Sequence, residues 1–571
     1  MARFNWTGFR RFWTIARTYW LGEEKWKAGG LLLLIGLFLL GYTGLSVVLN
    51  NKRGVLISAL SAQDESRFWQ TVWVFLGVLV AYAPLLAGYD YLQKRLGLEW
   101  RRWLTGQFVG DYFRDRAFYA IQQFQPDLDN PDQRLAEDIR NFTQQSLALL
   151  LVGVSSVLQV MAFSSVLWGI SRPLVGFLVL YALAGTLVTV LIFGQPLVRL
   201  NFEQLKKEAN FRFSLVRIRE NAEAIAFYRG EAQEAGLVNQ RFLEAFENFK
   251  RLIIWELNLN ALTNAYEFIP FILPAIVVAP AVFAGDLEVG KVSEAQGAFV
   301  RVFFSLNVIV ARFQELTAFG AGIDRLYSFA EALTPVERQD SEAEPGDRPT
   351  IAVSTADHLA LEHLTLQTPN YQRTLIENLC LAVPSPGSLL IVGPSGCGKS
   401  SLLRAIAGLW NSGQGTIHRP ELDRILFIPQ KPYMILGTLR DQLLYPHPSQ
   451  TVEESTLKAT LEKVNLADLA DRFGGFEAIE EWGDVLSLGE QQRLTFARIL
   501  LNQPDFVILD EATSALDLPN EAQLYSHLAH TGITFISVGH RESLKAYHQN
   551  LLELRADHRW VLKSLAPQTR I

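Results

Sequence analysis

The chain has 571 residues, a length that suggests more than one domain. Hydrophobic residues make up 49% of it, which is high for a wholly soluble protein, while 19% charged residues are too many for a protein lying entirely in lipid. A membrane part joined to a soluble part accounts for both values. The net charge of -6 gives no indication of a nucleic-acid partner, and two cysteines, Cys380 and Cys397, are too few for a disulfide framework.

Residues 1–330 are predicted to form a transmembrane domain, because they contain repeated apolar runs of roughly the 20 residues that a spanning helix needs. The predicted spans are residues 28–51, 70–91, 146–171, 173–198, 263–285 and 293–314. Arg301 and Arg312 interrupt the last of these. It is included partly because an even number of spans returns the chain to its starting side.

Positive charge is concentrated at one end of each of the first two predicted spans. These cations are Arg3, Arg10, Arg11, Arg17 and Lys27 before the first span, and Lys94, Arg95, Arg101 and Arg102 after the second. The positive-inside rule places both groups in the cytoplasm, together with the N-terminus and the polar C-terminal part. The lipid bilayer is therefore an expected partner of this chain.

Three charged residues lie in or beside the last two predicted spans. Glu267, Arg301 and Arg312 would be costly to expose to lipid, so they are candidates for lining a substrate path. The alternative is that they lie at the membrane interface or beyond the bilayer, since long helices can project into water.

A change in composition marks the end of the membrane part. The stretch "EALTPVERQDSEAEPGDRPT", residues 331–350, is rich in acidic residues and contains three prolines. This composition is typical of a linker, which we place at residues 331–349, followed by a soluble domain at 350–571.

The soluble part contains the pattern G-x-x-x-x-G-K-S after an apolar strand and before an amphipathic helix, the context that identifies a P-loop. The predicted ATP-binding residues are Gly393, Pro394, Ser395, Gly396, Cys397, Gly398, Lys399, Ser400 and Ser401. Backbone N–H groups would surround the phosphates, Lys399 would reach the β- and γ-phosphates, and the Ser400 hydroxyl would reach Mg²⁺.

Polar side chains follow three further apolar runs. Asp510 and Glu511 end the strand in "PDFVILDEATSALD", Gln430 follows "LFIP", and His540 ends "ITFISVGH". Because ligands bind at the carboxyl ends of parallel strands, we expect Glu511, His540 and Gln430 to be catalytic, and Asp510 with Gln430 and Ser400 to hold Mg²⁺. If Asp510 and Glu511 only capped a following turn, that would explain one carboxylate but not two in succession.

The order of the P-loop, "PQ", "LSLGEQQR", "LDEATSALD" and "SVGH" resembles the ATP-binding cassette of ABC transporters. The resemblance covers residues 350–571 and implies a fold: a six-span α-helical transmembrane domain of exporter type with an α/β P-loop cassette. It also implies a homodimer, in which the signature segment contacts the partner's ATP and Asp517 lies near the dimer axis. The signature residues are Ser487, Leu488, Gly489 and Glu490.

Two positions depart from the usual cassette. Leu488 stands where glycine is common, and no aromatic residue occurs near Gln367 and Thr368, where one normally stacks on adenine. Tyr371 is close in sequence and is the candidate for that contact.

The segments "NPDQRLAEDI", "RENAEAIAFYRGE", "GPSGCGKSSL" and "SVGHR" resemble subfamily D half-transporters and related bacterial importers. The resemblance implies ATP-driven transport in which cobalamin or peptide uptake is favoured, with fatty acid or acyl-CoA movement as the alternative. A bacterial cytoplasmic membrane is expected, and an organelle membrane is the alternative.

A nucleotide-gated channel or regulator without turnover is a hypothesis of another class. Such a protein would be expected to lack a catalytic base, whereas both Glu511 and His540 are present.

Overall fold

The computed structural model describes residues 6–124, 131–308, 312–333, 349–447 and 450–565. The chain divides into two compact units, residues 1–338 and 339–571. The predicted linker at 331–349 falls largely on residues 334–348, outside the described part, and its boundaries stay a prediction.

The first unit is helical throughout its described residues. Its α-helices are α1 (Trp6–Trp20), α2 (Lys25–Ser61), α3 (Glu65–Phe113), α4 (Ala117–Phe124), α5 (Pro131–Gln133), α6 (Ile139–Ile170), α7 (Arg172–Thr189), α8 (Gln195–Glu220), α9 (Ala222–Tyr228), α10 (Glu231–Phe283), α11 (Gly290–Leu306) and α12 (Phe313–Ala332). A 3₁₀ turn at Arg114–Arg116 and π-helical turns at Arg134–Asp138 and Val190–Gly194 connect some of them.

Five stretches of the described residues are long and apolar enough to cross a membrane. They are Lys25–Ser61, Glu65–Gln123, Pro131–Ile170, Arg172–Glu220 and Glu231–Phe283. These stretches overlap the first five predicted spans. The sixth, 293–314, includes residues 309–311 outside the described part. The helix that covers its beginning is α11, of 17 residues.

Large apolar side chains cover the outside of this unit. Leu33, Trp73, Leu180, Leu191 and Ile276 are all exposed, although each lies in one of the candidate spans. In water such a surface would be unfavourable, whereas hydrocarbon solvates it at no cost. These stretches are helical over most of their length, so most of their backbone polar groups pair within the helices, as a lipid environment requires.

The second unit is an α/β domain. Its strands are β1 (Ala352–Thr355), β2 (Leu359–Gln367), β3 (Thr374–Val383), β4 (Ser388–Val392), β5 (Gly413–Arg419), β6 (Ile425–Ile428), β7 (Phe506–Asp510), β8 (Thr534–Val538), β9 (Asn550–Leu554) and β10 (Trp560–Ser564). Its α-helices are α13 (Lys399–Ile406), α14 (Leu439–Leu444), α15 (Glu454–Lys463), α16 (Leu469–Phe473), α17 (Trp482–Val485), α18 (Leu488–Asn502) and α19 (Leu518–His530), with 3₁₀ turns at Leu422–Arg424 and Glu542–Tyr547.

Two sheets organise this unit. One has the strand order β10-β9-β4-β8-β7-β6, in which the neighbours from β9 to β6 are parallel and β10 is antiparallel. The other has the order β1-β5-β2-β3. The apolar strands β4, β7 and β8 are buried because helices cover both faces of a parallel sheet. Their carboxyl ends meet at one edge, which positions the site.

A buried hydrogen-bonded chain lies behind this sheet. The Tyr525 hydroxyl donates to Ser537 Oγ at 3.1 Å, and Ser537 Oγ is 2.9 Å from His548 Nε2. The other ring nitrogen, Nδ1, is 2.7 Å from the Leu544 carbonyl oxygen. Because that oxygen can only accept, Nδ1 carries the proton. Nε2 then accepts from the Ser537 hydroxyl, and this arrangement corresponds to the neutral form of His548. Burial lowers the pKa of His548 to about 4.

The fold is therefore a helical transmembrane domain, with five candidate spans in its described residues, joined to an α/β domain.

Candidate nucleotide-binding site

The P-loop occupies residues 393–398, between β4 and α13, and contains Pro394, Ser395, Gly396 and Cys397; Ser400 and Ser401 lie in the first turn of α13. Gly396 and Gly398 have φ of +77° and +102°, a left-handed backbone that favours glycine. A Cβ on Gly393 would lie 2.5 Å from the Leu554 carbonyl oxygen. The loop therefore needs its glycines to turn tightly into the helix.

The ammonium group of Lys399 lies inside this loop. Its Nζ donates to the carbonyl oxygens of Gly393 at 2.8 Å and Pro394 at 3.0 Å, and the residue is buried. The N-terminus of α13 adds free backbone N–H groups and the positive end of the helix dipole. A buried cation at a helix N-terminus is a site suited to phosphate.

Three predicted catalytic residues are brought together at the ends of β6, β7 and β8. The carboxylate of Glu511 accepts from Gln430 Nε2 at 2.9 Å and lies 3.2 Å from His540 Nε2. Glu511 has φ of +50°, and its N–H donates to the Val538 carbonyl oxygen at 3.0 Å. The unusual backbone turns this side chain away from the sheet and toward Gln430 and His540.

Asp510 and Ser400 form an oxygen-rich group beside the P-loop. Burial raises the pKa of Asp510, and a hydrogen bond from Ser400 partly offsets this. A hydroxyl, a carboxylate and the nearby Gln430 amide are the donors that Mg²⁺ accepts alongside phosphate oxygens. In the described residues no group of three or more His, Cys, Asp or Glu is placed to hold a metal ion.

The signature segment, residues 487–490, begins α18 with a capping box. The Glu490 N–H donates to Ser487 Oγ at 3.3 Å, and the Glu490 carboxylate accepts from the Ser487 N–H at 2.9 Å and hydroxyl at 2.8 Å. Burial raises the pKa of Glu490, but bonds from Arg472 and Ser487 outweigh it, so the net shift is downward.

Gly489 is not required by the fold of its own chain. A Cβ there would meet the Ala515 carbonyl oxygen at 3.5 Å and Leu516 Cδ2 at 3.7 Å, which are ordinary van der Waals contacts. Leu488 beside it is 46% exposed. The missing side chain of Gly489 thus leaves space at the surface beside the exposed N-terminus of α18.

Asp517 caps helix α19. Its carboxylate accepts from Asn520 N at 3.0 Å and Nδ2 at 2.7 Å, and these bonds lower the pKa of Asp517. Its predicted role at a dimer axis stays a prediction.

Sequence analysis missed the residues that hold the loop between Glu511 and Asp517. Arg541 donates to the carbonyl oxygens of Leu516 at 2.8 Å and Ser514 at 3.0 Å. It also pairs with buried Glu521 at 3.1 Å, which accepts from Thr513 Oγ1 at 2.9 Å. These residues have no motif spacing, and only the position of Arg541 directly after His540 could have drawn attention to them.

Tyr371, the candidate for adenine stacking, lies in the turn between β2 and β3. Its φ is +58°, and its N–H donates to the Thr368 carbonyl oxygen at 2.8 Å. The stacking role stays a prediction.

The candidate substrate-path residues all belong to the first unit. Glu267 is half-buried on α10, Arg301 is exposed on α11 with its guanidinium 5.9 Å from the Phe163 ring, and Arg312 pairs with Glu315 at 2.7 Å. Among the described residues, no hydrogen bond or ion pair joins Glu267, Arg301 and Arg312 to one another.

One buried carboxylate of the first unit was missed from the sequence. Glu294 on α11 accepts from Asn51 Nδ2 at 3.0 Å and Lys291 Nζ at 2.7 Å. A Cβ on Gly290 would lie 1.8 Å from the Gly54 carbonyl oxygen, so α2 and α11 cross in close contact. Small residues at such crossings are typical of membrane helices.

A P-loop, acidic residues at the end of another strand of the same parallel sheet and a capped signature segment define an ATP-binding cassette, carried by a helical membrane domain. Comparison with known proteins agrees with this. The family "ABC transporter transmembrane region 2" matches residues 15–283, and the family "ABC transporter" matches residues 376–514.

Similar proteins occur in bacteria, plants and animals. The chain is 46% identical over 547 residues to an uncharacterized ABC transporter ATP-binding protein of Synechocystis sp., covering 95% of this chain and 83% of the relative. It is 41% identical over 611 residues to ABC transporter D family member 2, chloroplastic, of Arabidopsis thaliana, with 96% and 86% covered. It is 33% identical over 540 residues to the lysosomal cobalamin transporter ABCD4 of Homo sapiens, with 88% of each covered.

The chain belongs to the ABC transporter family, as a half-transporter with one transmembrane domain and one cassette, and its relatives include subfamily D. It is a membrane protein and an ATPase coupled to transport.

Proposed function

We propose that two copies of this chain form an ATP-driven importer of a bulky amphipathic or hydrophilic solute, with cobalamin or a peptide as the favoured substrate. The observation that carries the ATPase part is the position of Glu511 between Gln430 and His540, at the ends of β6, β7 and β8. The similarity to a protein named a lysosomal cobalamin transporter supports the choice of substrate.

In the proposed reaction Lys399 and the α13 N-terminus bind the β- and γ-phosphates. Glu511 orients the attacking water and accepts its proton, while His540 contacts the γ-phosphate. Mg²⁺, held by Ser400, Asp510 and Gln430, would supply positive charge to the phosphate oxygens. The shared hydrogen bond between Gln430 and Glu511 fixes the carboxylate relative to that metal position.

The homodimer is proposed because residues 487–490 have the chemistry of a phosphate site without a lysine. Ser487, the backbone of Leu488 and Gly489, and the dipole of α18 would contact the γ-phosphate of the partner's ATP. The exposure of this segment and the absence of an internal need for Gly489 support a contact with another chain. Glu490 would hold the Ser487 hydroxyl in place.

A fatty acid or acyl-CoA is the second candidate substrate, whose acidic group Arg301 could bind. An exposed guanidinium halfway along α11 is a group that could bind a carboxylate or phosphate on a passing solute. Cobalamin also carries a phosphodiester, so Arg301 is compatible with both substrates.

The proposed location is a bacterial cytoplasmic membrane with the cassette and the N-terminus in the cytoplasm. The cations around the first two spans support that orientation. An organelle membrane with the same cytoplasmic cassette is the alternative.

ATP-dependent flux in proteoliposomes tests the proposal. Vesicles with outward-facing cassettes would be preloaded with labelled cobalamin, a peptide or an acyl-CoA, and Glu511→Gln would be the control. ATP-driven loss of cobalamin or peptide is the expected result, because the lumen corresponds to the outside of the cell. Accumulation in the lumen would instead mean export, and loss of acyl-CoA alone would identify the second substrate.

A further inference from the structure

Arg498 is a buried cation in the second half of α18, outside all the motifs. Its exposed fraction is only 4%. Its described hydrogen-bond partners are uncharged oxygens: Nε donates to the Gln442 carbonyl at 2.7 Å, NH1 to the Tyr433 carbonyl at 2.9 Å and NH2 to Gln442 Oε1 at 3.4 Å. Burial lowers the pKa of Arg498 to about 10. Burying a guanidinium against neutral acceptors is costly, so it indicates a specific use.

The oxygens that bind Arg498 belong to Tyr433 and Gln442, in the stretch of residues that follows Gln430. Gln442, which is fully buried, extends the connection: its Nε2 donates to the Ile435 carbonyl at 2.6 Å, and its Oε1 accepts from the Ile435 N–H at 3.0 Å. The 431–437 segment is therefore held at Tyr433 by Arg498 and at Ile435 by Gln442.

The 431–437 segment is also held by a residue that precedes the signature segment in the chain. The Trp482 indole donates to the Gly437 carbonyl oxygen at 2.9 Å, and Trp482 lies in α17, just before Ser487. Trp482 and Arg498 thus flank Ser487 in sequence, and both fasten the 431–437 segment. A displacement of this segment would strain hydrogen bonds on both sides of the signature.

We propose that Arg498 is a positioning residue for ATP hydrolysis, acting through Tyr433 and Gln442 to fix the segment behind Gln430 relative to the helix that begins at Ser487. This rests on the proposed function of the nucleotide site, where Gln430 serves the chain's own ATP and Ser487 serves the partner's. A change at one of the two ATP sites would then be transmitted through this chain to the other ATP site. Arg498 touches neither nucleotide.

Hydrogen exchange and ATPase kinetics of the full-length protein test this proposal. Arg498→Met keeps the length and apolar stem but removes every donor. We expect faster amide exchange in residues 431–437 and a kcat lowered on the order of 10–100-fold, since misplacing a catalytic group by about 1 Å costs this much. ATP affinity should be unchanged because the P-loop is untouched. The Hill coefficient for ATP should fall toward one.

Leu494→Ala is the matched control. Leu494 is fully buried on the same helix, in the hydrophobic core of the cassette, and makes none of the hydrogen bonds described. It should lower the melting temperature without raising exchange in residues 431–437 or changing the Hill coefficient. If Arg498→Met differs from wild type only as Leu494→Ala does, the residue is structural and the proposal is wrong.

Arg498→Lys keeps the test decisive if the Met variant does not fold. Lysine keeps the charge but cannot form the same three bonds at once, so relative to wild type kcat should fall and amide exchange in residues 431–437 should rise. Wild-type values for both would overturn the proposal. In the double variant with Gln442→Ala, the two losses should not add, because both break one connection.

The failure of this inference is distinguishable from failure of the proposed function. If wild-type hydrolysis does not depend on Glu511, the catalytic assignment fails whatever Arg498 does. If it depends on Glu511 while Arg498→Met behaves as the control does, only the positioning role fails.

Discussion

Gln430 and Glu511 are joined by a hydrogen bond of 2.9 Å between the side-chain amide nitrogen and carboxylate oxygen Oε2, across 81 residues of chain. The other oxygen, Oε1, lies 3.2 Å from His540 Nε2. Both carboxylate oxygens thus have a polar neighbour, which fixes the plane of the group. A carboxylate fixed in this way can hold a water molecule in a defined orientation, as a general base must.

Replacing Glu511 with glutamine should lower kcat by on the order of 10²–10⁴-fold, because the amide keeps the size and hydrogen bonding but cannot accept a proton. ATP binding and the melting temperature should be close to wild type, and steady-state ATPase assays with nucleotide-binding measurements check both. Glu542→Gln, which changes an exposed carboxylate paired with Lys545, is the control. Near-normal hydrolysis by Glu511→Gln would remove this residue from the catalytic group.

Gly489→Ala should fold normally and lose ATPase activity. The added methyl meets only ordinary contacts within the chain, so the melting temperature should stay within about 1 °C of wild type. It would intrude on a phosphate approaching from outside, and a fall on the order of 10–100-fold is expected. Gly483→Ala, where a Cβ meets open space, is the matched control and should keep its activity. Equal activity of both variants would contradict the contact.

A mixed dimer tests whether the two phosphate sites are shared between chains. Ser487→Arg and Lys399→Ala should each abolish hydrolysis alone. When the two variant chains are co-expressed and the heterodimer is purified with two tags, one composite site carries both defects and the other carries neither. Hydrolysis should therefore return in part. A heterodimer as inactive as its parents would mean that each chain uses its own signature segment.

The grouping of these side chains was predictable because they lie where strands end, while their catalytic role stays a prediction. Gln430, Asp510 and His540 each follow an apolar strand, and a parallel sheet brings such ends to one edge. The fold class, a helical membrane domain with an α/β cassette, was confirmed by the structure and the relatives.

Contacts that depend on tertiary packing were not predictable. Arg498, Arg541 and Glu521 look like ordinary helix or loop residues in the sequence. Only the folded chain shows that Arg498 and Glu521 are buried and that both arginines bind carbonyl oxygens. The pattern of apolar runs also gave no sign that Glu294 is buried between α2 and α11, because it depends on the close crossing at Gly54 and Gly290.

The stability of the cassette should depend on pH through His548. Its pKa is about 4 in the folded protein and about 6.5 in an unfolded chain, so between these values the unfolded state binds more protons. The stabilisation is present above about pH 6.5 and is lost as the pH falls toward 4, by about 3 kcal/mol as an order of magnitude. Chemical unfolding of the full-length protein between pH 7 and 5, followed by a cassette probe, measures this slope.

His548→Phe keeps the ring against Phe535, 5.0 Å away, but cannot titrate. It should be less stable at pH 7 because it loses two hydrogen bonds, yet its stability should fall less steeply on acidification. Parallel slopes for the two proteins would show that burial does not lower the pKa of His548 in the folded chain.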